Sequence, residues 1–286
     1  MSLPTDFKRK KPLWCPGCGD YAVLNSLQKA SSDLGLKPHR VVLVAGIGCS
    51  GFLWSNYNSN SFKAIHGRVL PVATGIKLAN PDLTVIGASG DGDAYSIGGN
   101  HLIHTIRRNP NITYIVMDNQ VYGNTKGHTS PTAHVGFVTK STPYGSGEQP
   151  VQPMTLALAT GISFVAQGFS GYPRQLADLI RRGIQHKGFA LINVLSPCVV
   201  FNREYTYDWF REHLLNLDED ESHDSESREE ALKICMNDDR VPVGVVYAKE
   251  RASYQDMLPN LSRTAIVRQD LKGDLARLSR LLEGFS

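Results

Sequence analysis

Long apolar runs are what this 286-residue chain most plainly lacks. None approaches the roughly 18 residues that a membrane-spanning helix needs, which argues against a helical membrane protein. Its start, Met1 to Lys11, is basic but no apolar stretch follows, so it does not read as a secretory signal. A cytoplasmic location is expected by default. Cysteine is scarce: five, unevenly spaced, are too few for a disulfide scaffold. Closely spaced cytosolic thiols are more often metal ligands or redox groups. Internal repeats are absent. There is little excess of either charge, and the net value of +3 is unremarkable. Its distribution is uneven, however, because eight acidic residues fall between Asp218 and Glu230. That run reads as a solvated loop and helix start.

What is present is a regular alternation from residue 19 to about 195. Val41-Val42-Leu43-Val44-Ala45, residues 83–87, 112–117, 164–166 and 190–194 read as short, near-continuous apolar strands. Helical periods occupy residues 20–32, 70–79, 100–107 and 174–186. Apolar strands alternating with helices imply a parallel sheet covered on both faces, a doubly wound α/β domain. Residues 120–150, rich in Gly, Thr, Ser and Pro, have no period, and a structureless loop of that length is uncommon unless functional. After Cys198 the pattern changes. Residues 205–217 and 227–236 look helical, the latter opened by a Ser227/Glu230 capping box, and residues 243–247 suit an edge strand. The expected division is residues 1–198 as one ligand-binding domain and 199–286 as an extension packed on it or on a partner.

The most informative stretch is Gly90-Asp91-Gly92-Asp93, followed 25 residues later by Asp118-Asn119. The strand at 83–87 delivers Gly90 to the carboxyl edge of the sheet, where α/β proteins place ligands. Glycines 90 and 92 let backbone N–H groups approach a diphosphate. Magnesium takes hard oxygen ligands shared with phosphate. Asp91, the Asn119 amide and the Val121 carbonyl would supply them. The arrangement resembles the thiamine diphosphate signature, G-D-G followed by N-N, with Asp118 in place of the first Asn.

Cys15 and Cys18 form a C-x-x-C knuckle, ambiguous by itself between zinc, a cluster and a redox disulfide. Cys49 follows the first strand and Cys198 the last, so both emerge at the same sheet edge as Asp91. Four thiolates there suit one 4Fe-4S cluster, while spacing alone leaves a Cys-four zinc site equally open. Cys235, within an apolar helix, reads as a buried structural thiol.

Taken in order, these motifs resemble the beta subunit of 2-oxoacid:ferredoxin oxidoreductases. The resemblance is carried by Trp14-Cys15-Pro16-Gly17-Cys18-Gly19, Gly46-Ile47-Gly48-Cys49-Ser50-Gly51, His66-Gly67-Arg68, Gly90-Asp91-Gly92-Asp93, Asp118-Asn119-Gln120-Val121-Tyr122-Gly123 and Ser196-Pro197-Cys198. It implies a thiamine-diphosphate-binding fold with Cys15, Cys18, Cys49 and Cys198 on a 4Fe-4S cluster, and magnesium on Asp91, Asn119 and Val121. Ser50, His66, Gly90, Gly92 and Asp93 would line the diphosphate, with Gly123 and Asn124 near the thiazolium. It further implies coenzyme A-dependent oxidative decarboxylation of a 2-oxoacid, or the reverse carboxylation, with electrons passed to ferredoxin. An alpha subunit would complete the thiamine and coenzyme A sites and supply a glutamate that this chain lacks. Asn124, Lys126 and His66 are the candidates for contact with reacting groups. Lys126 would meet the distal carboxylate of 2-oxoglutarate as a point charge, whereas Asn124 resembles the pyruvate enzymes. The other readings are a non-oxidative thiamine enzyme with a structural zinc, and an electron-carrier or scaffold subunit whose thiamine site is degenerate. Lys8, Arg9, Lys10 and Lys11 read either as a solvated basic terminus or as a patch steering an acidic ferredoxin.

Overall fold

A computed structural model of the chain describes residues 3–237, 239–258, 265–268 and 275–284. Part of the 199–286 extension therefore lies outside the described residues. Ten strands are found among those described: β1 Val41–Ala45, β2 Asn60–Lys63, β3 Thr84–Gly90, β4 Ile112–Asp118, β5 Val121–Tyr122, β6 His128–Thr129, β7 Phe164–Phe169, β8 Phe189–Leu195, β9 Leu214–Asn216 and β10 Val241–Ala248. Eight form one sheet in the order β2-β1-β3-β4-β8-β7-β10-β9, and β5 and β6 make a separate small hairpin. The pairs from β2 through β7 are parallel, and β10 runs antiparallel to β7. The sheet is thus the mostly parallel one that the alternation predicts.

Nine helices accompany these strands among the described residues: α1 Asp20–Asp33, α2 Leu53–Asn56, α3 Val69–Ala79, α4 Gly99–Arg108, α5 Pro153–Ala159, α6 Pro173–Gln185, α7 Tyr207–His213, α8 Arg228–Cys235 and α9 Leu275–Glu283. The period-two alternation of the strands explains why both sheet faces are covered. On β4, Ile112, Tyr114 and Val116 join a core with residues of α3, α4, α5 and α8. Ile115 and Met117 turn to the other face and pack with residues of α1 and α6. No helix among the described residues is long and apolar enough to cross a membrane.

Two expectations need correction. The helix expected over 205–217 ends at His213, and Leu214–Asn216 instead pairs in parallel with β10. Leu214 and Leu217 are buried in different core clusters, which an unbroken helix would not arrange. The second correction is partial: β9 flanks β10 only over Val241–Val243, and among the described residues no strand lies beside 244–247 on that side. The Ser227 cap is present, its side chain accepting from Glu230 N.

One buried residue ties the end of α4 to distant segments. Asn109 sits in the left-handed region at φ 58°. Its Oδ1 accepts from Ser163 Oγ at 2.8 Å and Phe189 N at 2.9 Å, and its Nδ2 donates to the carbonyls of Arg251 and Ala252. Asn109→Ala forfeits these bonds and strains the backbone. It should destabilise the chain by about 2–4 kcal/mol, read from denaturant midpoints; a loss below about 1 kcal/mol would show that the hub is dispensable.

Candidate active site

Because β1, β3, β4 and β8 are adjacent and parallel, their carboxyl ends share one edge of the sheet. A cleft of about 260 Å³ opens there. Ser50, His66, Gly90, Asp91, Gly92, Asp93, Asn119, Val121, Gly123 and Asn124 all line it, so the structure brings these predicted residues together. A larger open groove, about 1010 Å³, lies between the start of α6 and β9. It contains none of the predicted residues, and two of its arginines serve neighbours: Arg211 pairs with Asp208 at 2.6 Å and Arg240 donates to Leu214 O at 2.5 Å. The smaller cleft is the one with convergent chemistry.

Its floor is acidic and buried. Asp91 is buried and accepts from the hydroxyls of Ser130 and Thr132. Thr132 Oγ1 also lies 2.8 Å from Asp118 Oδ1. One hydroxyl proton faces two carboxylates, so it can be donated to only one of them. Burial pushes the Asp91 carboxyl upward despite those hydroxyls. Burial first, and then the charge of Asp91, raises Asp118 from 3.8 to about 7. Asp118 is further held by Asn193 Nδ2 at 3.3 Å. Two buried acids served by neutral donors lack a positive charge, and Ser50 Oγ is buried without a partner. Asn119 Oδ1 accepts from Val121 N at 3.1 Å and retains a second lone pair. This hard-oxygen set fits a magnesium ion shared with phosphate.

The glycines have visible reasons. A Cβ on Gly92 would stand 2.1 Å from the Tyr122 ring, and one on Gly46 would stand 1.8 Å from Asp93 Oδ2. Backbone therefore approaches where a side chain cannot. Asp93 points inward: it accepts from Gly67 N at 2.7 Å and Ser89 Oγ at 2.7 Å. His66 Nδ1 lies 2.8 Å from Asp93 Oδ1 without forming a well-aligned hydrogen bond. Asp93 is thus a positioning residue for the His66–Gly67 wall.

The cysteines come from separate segments. Cys15 is exposed, and Cys18, Cys49 and Cys198 are half-buried free thiols. Burial raises the Cys18 thiol strongly, helped by the charge of Asp20 and then by Cys198 and Cys49. Cys49 is pushed up to about 11 by burial, then by Asp20, Cys198 and Cys15. Hydrogen bonds to backbone hold these segments together: Trp14 Nε1 meets Cys49 O, and Gly19 N donates to Pro197 O at 3.4 Å. Among the described residues, no three His, Cys, Asp or Glu side chains converge on a single ion. Cys49 also lines the cleft, so the two sites share a residue. The knuckle is pinned by Trp14 Nε1 donating to Cys49 O at 2.8 Å and Tyr207 OH donating to Gly17 O at 3.2 Å. Cys235 lies on α8 against the opposite core, and burial pushes its thiol up to about 12.

Lys126 is exposed at the tip of the β5–β6 hairpin, in the left-handed region at φ 67°, and does not line the cleft. Lys8, Arg9 and Lys10 are exposed, and the Arg9 N–H donates to Asn56 O at 3.2 Å. Ser130 and Thr132 belong to no motif in the sequence, and Tyr122 is marked there only as part of the 118–123 motif. The only signal for the first two was the aperiodic 120–150 segment that carries them.

Fold and cleft together define a thiamine-diphosphate-binding α/β enzyme domain, and the thiamine pyrophosphate enzyme C-terminal TPP binding domain family matches residues 46–194. The C-terminal family of the pyruvate ferredoxin oxidoreductase beta subunit matches residues 198–263. The chain is 41% identical over 259 residues to subunit beta of 2-oxoacid:ferredoxin oxidoreductase 2 from Aeropyrum pernix, covering 87% of this chain and 84% of that one. It is 47% identical over 189 residues to the 2-oxoglutarate oxidoreductase subunit KorB of Mycobacterium tuberculosis, covering 66% of this chain and 51% of that one. A solved 2-oxoglutarate:ferredoxin oxidoreductase from Magnetococcus marinus, with 2-oxoglutarate, coenzyme A and succinyl-CoA bound, matches with a TM-score of 0.91 at 35% identity, covering 98% of this chain and 96% of that one. The chain belongs to the beta subunits of the 2-oxoacid:ferredoxin oxidoreductases, and a beta subunit implies a partner subunit.

Proposed function

We propose that this subunit, with its alpha partner, carries out coenzyme A-dependent oxidative decarboxylation of 2-oxoglutarate, or the reverse carboxylation, in the cytoplasm. The observation that carries this reading is that the cleft and the four-thiol group meet at Cys49. Thiamine diphosphate, when bound, supplies the carbanion chemistry that loss of carbon dioxide from a 2-oxoacid requires.

The chain's own residues bind, orient and exclude water. Asp91, Asn119 and the Val121 carbonyl would hold magnesium. Gly90, Gly92, Ser50 and His66 would cradle the diphosphate, with His66 kept in place through Asp93. Gly123 and Asn124 would face the reacting end. Cys15, Cys18, Cys49 and Cys198 would hold a 4Fe-4S cluster as the electron exit to ferredoxin, in keeping with the edge they share with Asp91. The alpha subunit would complete the thiamine and coenzyme A sites.

The relatives named for 2-oxoglutarate support that substrate over pyruvate, and Lys126 is the residue assigned to its distal carboxylate. The test is the complex assembled with its alpha subunit under anaerobic conditions and assayed against a 2-oxoacid panel. Lys126→Ala should lower kcat/KM for 2-oxoglutarate by roughly 10- to 100-fold, the worth of one charged hydrogen bond, and leave pyruvate unaffected. An unchanged ratio between the two substrates would sink the assignment. Colourless, zinc-loaded protein would overturn the electron-transfer reading altogether.

A further inference from the structure

At the edge of the sheet opposite the active cleft, α4 ends in Arg107 and Arg108, and the chain turns through Asn109 into β4. A second cleft, about 570 Å³, opens there between Arg107, Arg108, Asn109, Arg251, Tyr254 and Met257. Among the described residues no carboxylate lines it. Among the described residues none of its three arginines has an ion-pair partner. The helix dipole accounts for basic residues in the last turn of α4, and hence for Arg107 and Arg108. Arg251 arrives from the segment after β10 to cap the same helix end, and so brings a third guanidinium to the cleft from a distant part of the chain.

Arg251 is anchored rather than loose. Its Nη2 donates to Ile106 O at 2.6 Å. Asn109 Nδ2 donates to Arg251 O at 3.2 Å, and Tyr254 N donates to Asn109 O at 3.0 Å. Gln255 takes Asn111 N on its Oε1, while its Nε2 is buried without an acceptor. Burial and then the nearby Arg228 disfavour the charge on Arg251, with Tyr247 opposing them.

Three guanidiniums without counter-charge match the oxygen pairs of phosphate groups. The volume suits a nucleotide-sized ligand, and Tyr254 and Met257 give it an apolar wall. We propose that this cleft binds a phosphorylated small molecule of nucleotide size. β4 joins the two clefts, and its seven residues span about 20 Å. The phosphates of a ligand held here therefore lie away from the thiamine cleft.

The test uses the alpha–beta complex saturated with thiamine diphosphate, so that nucleotides cannot occupy that site. Calorimetric titrations with ATP, ADP, inorganic pyrophosphate, inorganic phosphate and adenosine separate the sources of phosphate. ATP and ADP should bind and adenosine should not. Arg251→Gln, and separately Arg107→Gln with Arg108→Gln, should weaken binding at least tenfold while basal turnover is unchanged. Equal affinity for inorganic phosphate and ATP would overturn the nucleotide-size claim. Binding unaltered in both variants, or absent throughout, would overturn the site. Variants that dissociate the complex would make this face a subunit contact, and the proposal would fail.

Discussion

Asp91→Asn in the assembled enzyme is expected to lower kcat/KM for the 2-oxoacid by roughly 100-fold or more, because a metal clamp on a diphosphate is worth several kcal/mol and each decade corresponds to about 1.4. The amide keeps the volume of the carboxylate and can still accept from Ser130 and Thr132, so the lesion is in charge rather than in packing. Magnesium and thiamine diphosphate affinities should fall together. Stability should move the other way in the metal-free subunit. Asp118 is raised from 3.8 to about 7 by burial and by the charge of Asp91. A carboxyl raised on folding binds more protons in the native state than in the unfolded one. Its ionisation therefore erodes stability as pH climbs from about 3.8 to about 7, and the loss persists above that. Removing the charge of Asp91 should flatten this decline and raise Tm at neutral pH. Activity within tenfold of the parent at the same magnesium concentration would show that Asp91 is not the metal residue.

That pairing of two acids explains why some of the site was legible in sequence and some was not. Asp91 and Asn119 stand at the ends of β3 and β4, whose apolar runs are unmistakable, so their meeting at one edge follows from parallel pairing alone. Cys49 and Cys198 follow from the same logic. Ser130 and Thr132 do not, because they reach Asp91 from a segment with no periodicity, whose path is set by long-range packing of Val121, Ala133 and Phe137 against Cys198 and Phe201. Tyr122 was read as part of a motif, yet its reach across to Gly92 depends on the left-handed turn at Gln120. β9 was missed for a different reason. Three residues are too few to display a period, and only their pairing with β10 makes them a strand.

Cys18→Ser should remove iron and visible colour from anaerobically purified complex, abolish ferredoxin reduction, and leave thiamine diphosphate binding intact. Cys18 is the cleanest of the four thiols to change. Cys49 lines the cleft, so its loss would perturb both sites at once, and Cys15 is exposed. Burial, Asp20 and the neighbouring thiols all oppose ionisation of Cys18, yet only thiolates ligate metals. A cationic group would therefore have to stabilise the Cys18 thiolate, and proton release should accompany its binding. Losing one ligand leaves three thiols for a cluster that takes four, so the effect should be nearly complete rather than one quarter. Cys235→Ser is the control: it lies on α8 away from the cleft and should leave iron content unchanged. Iron and colour retained in Cys18→Ser, or lost equally in Cys235→Ser, would remove the cluster from these residues.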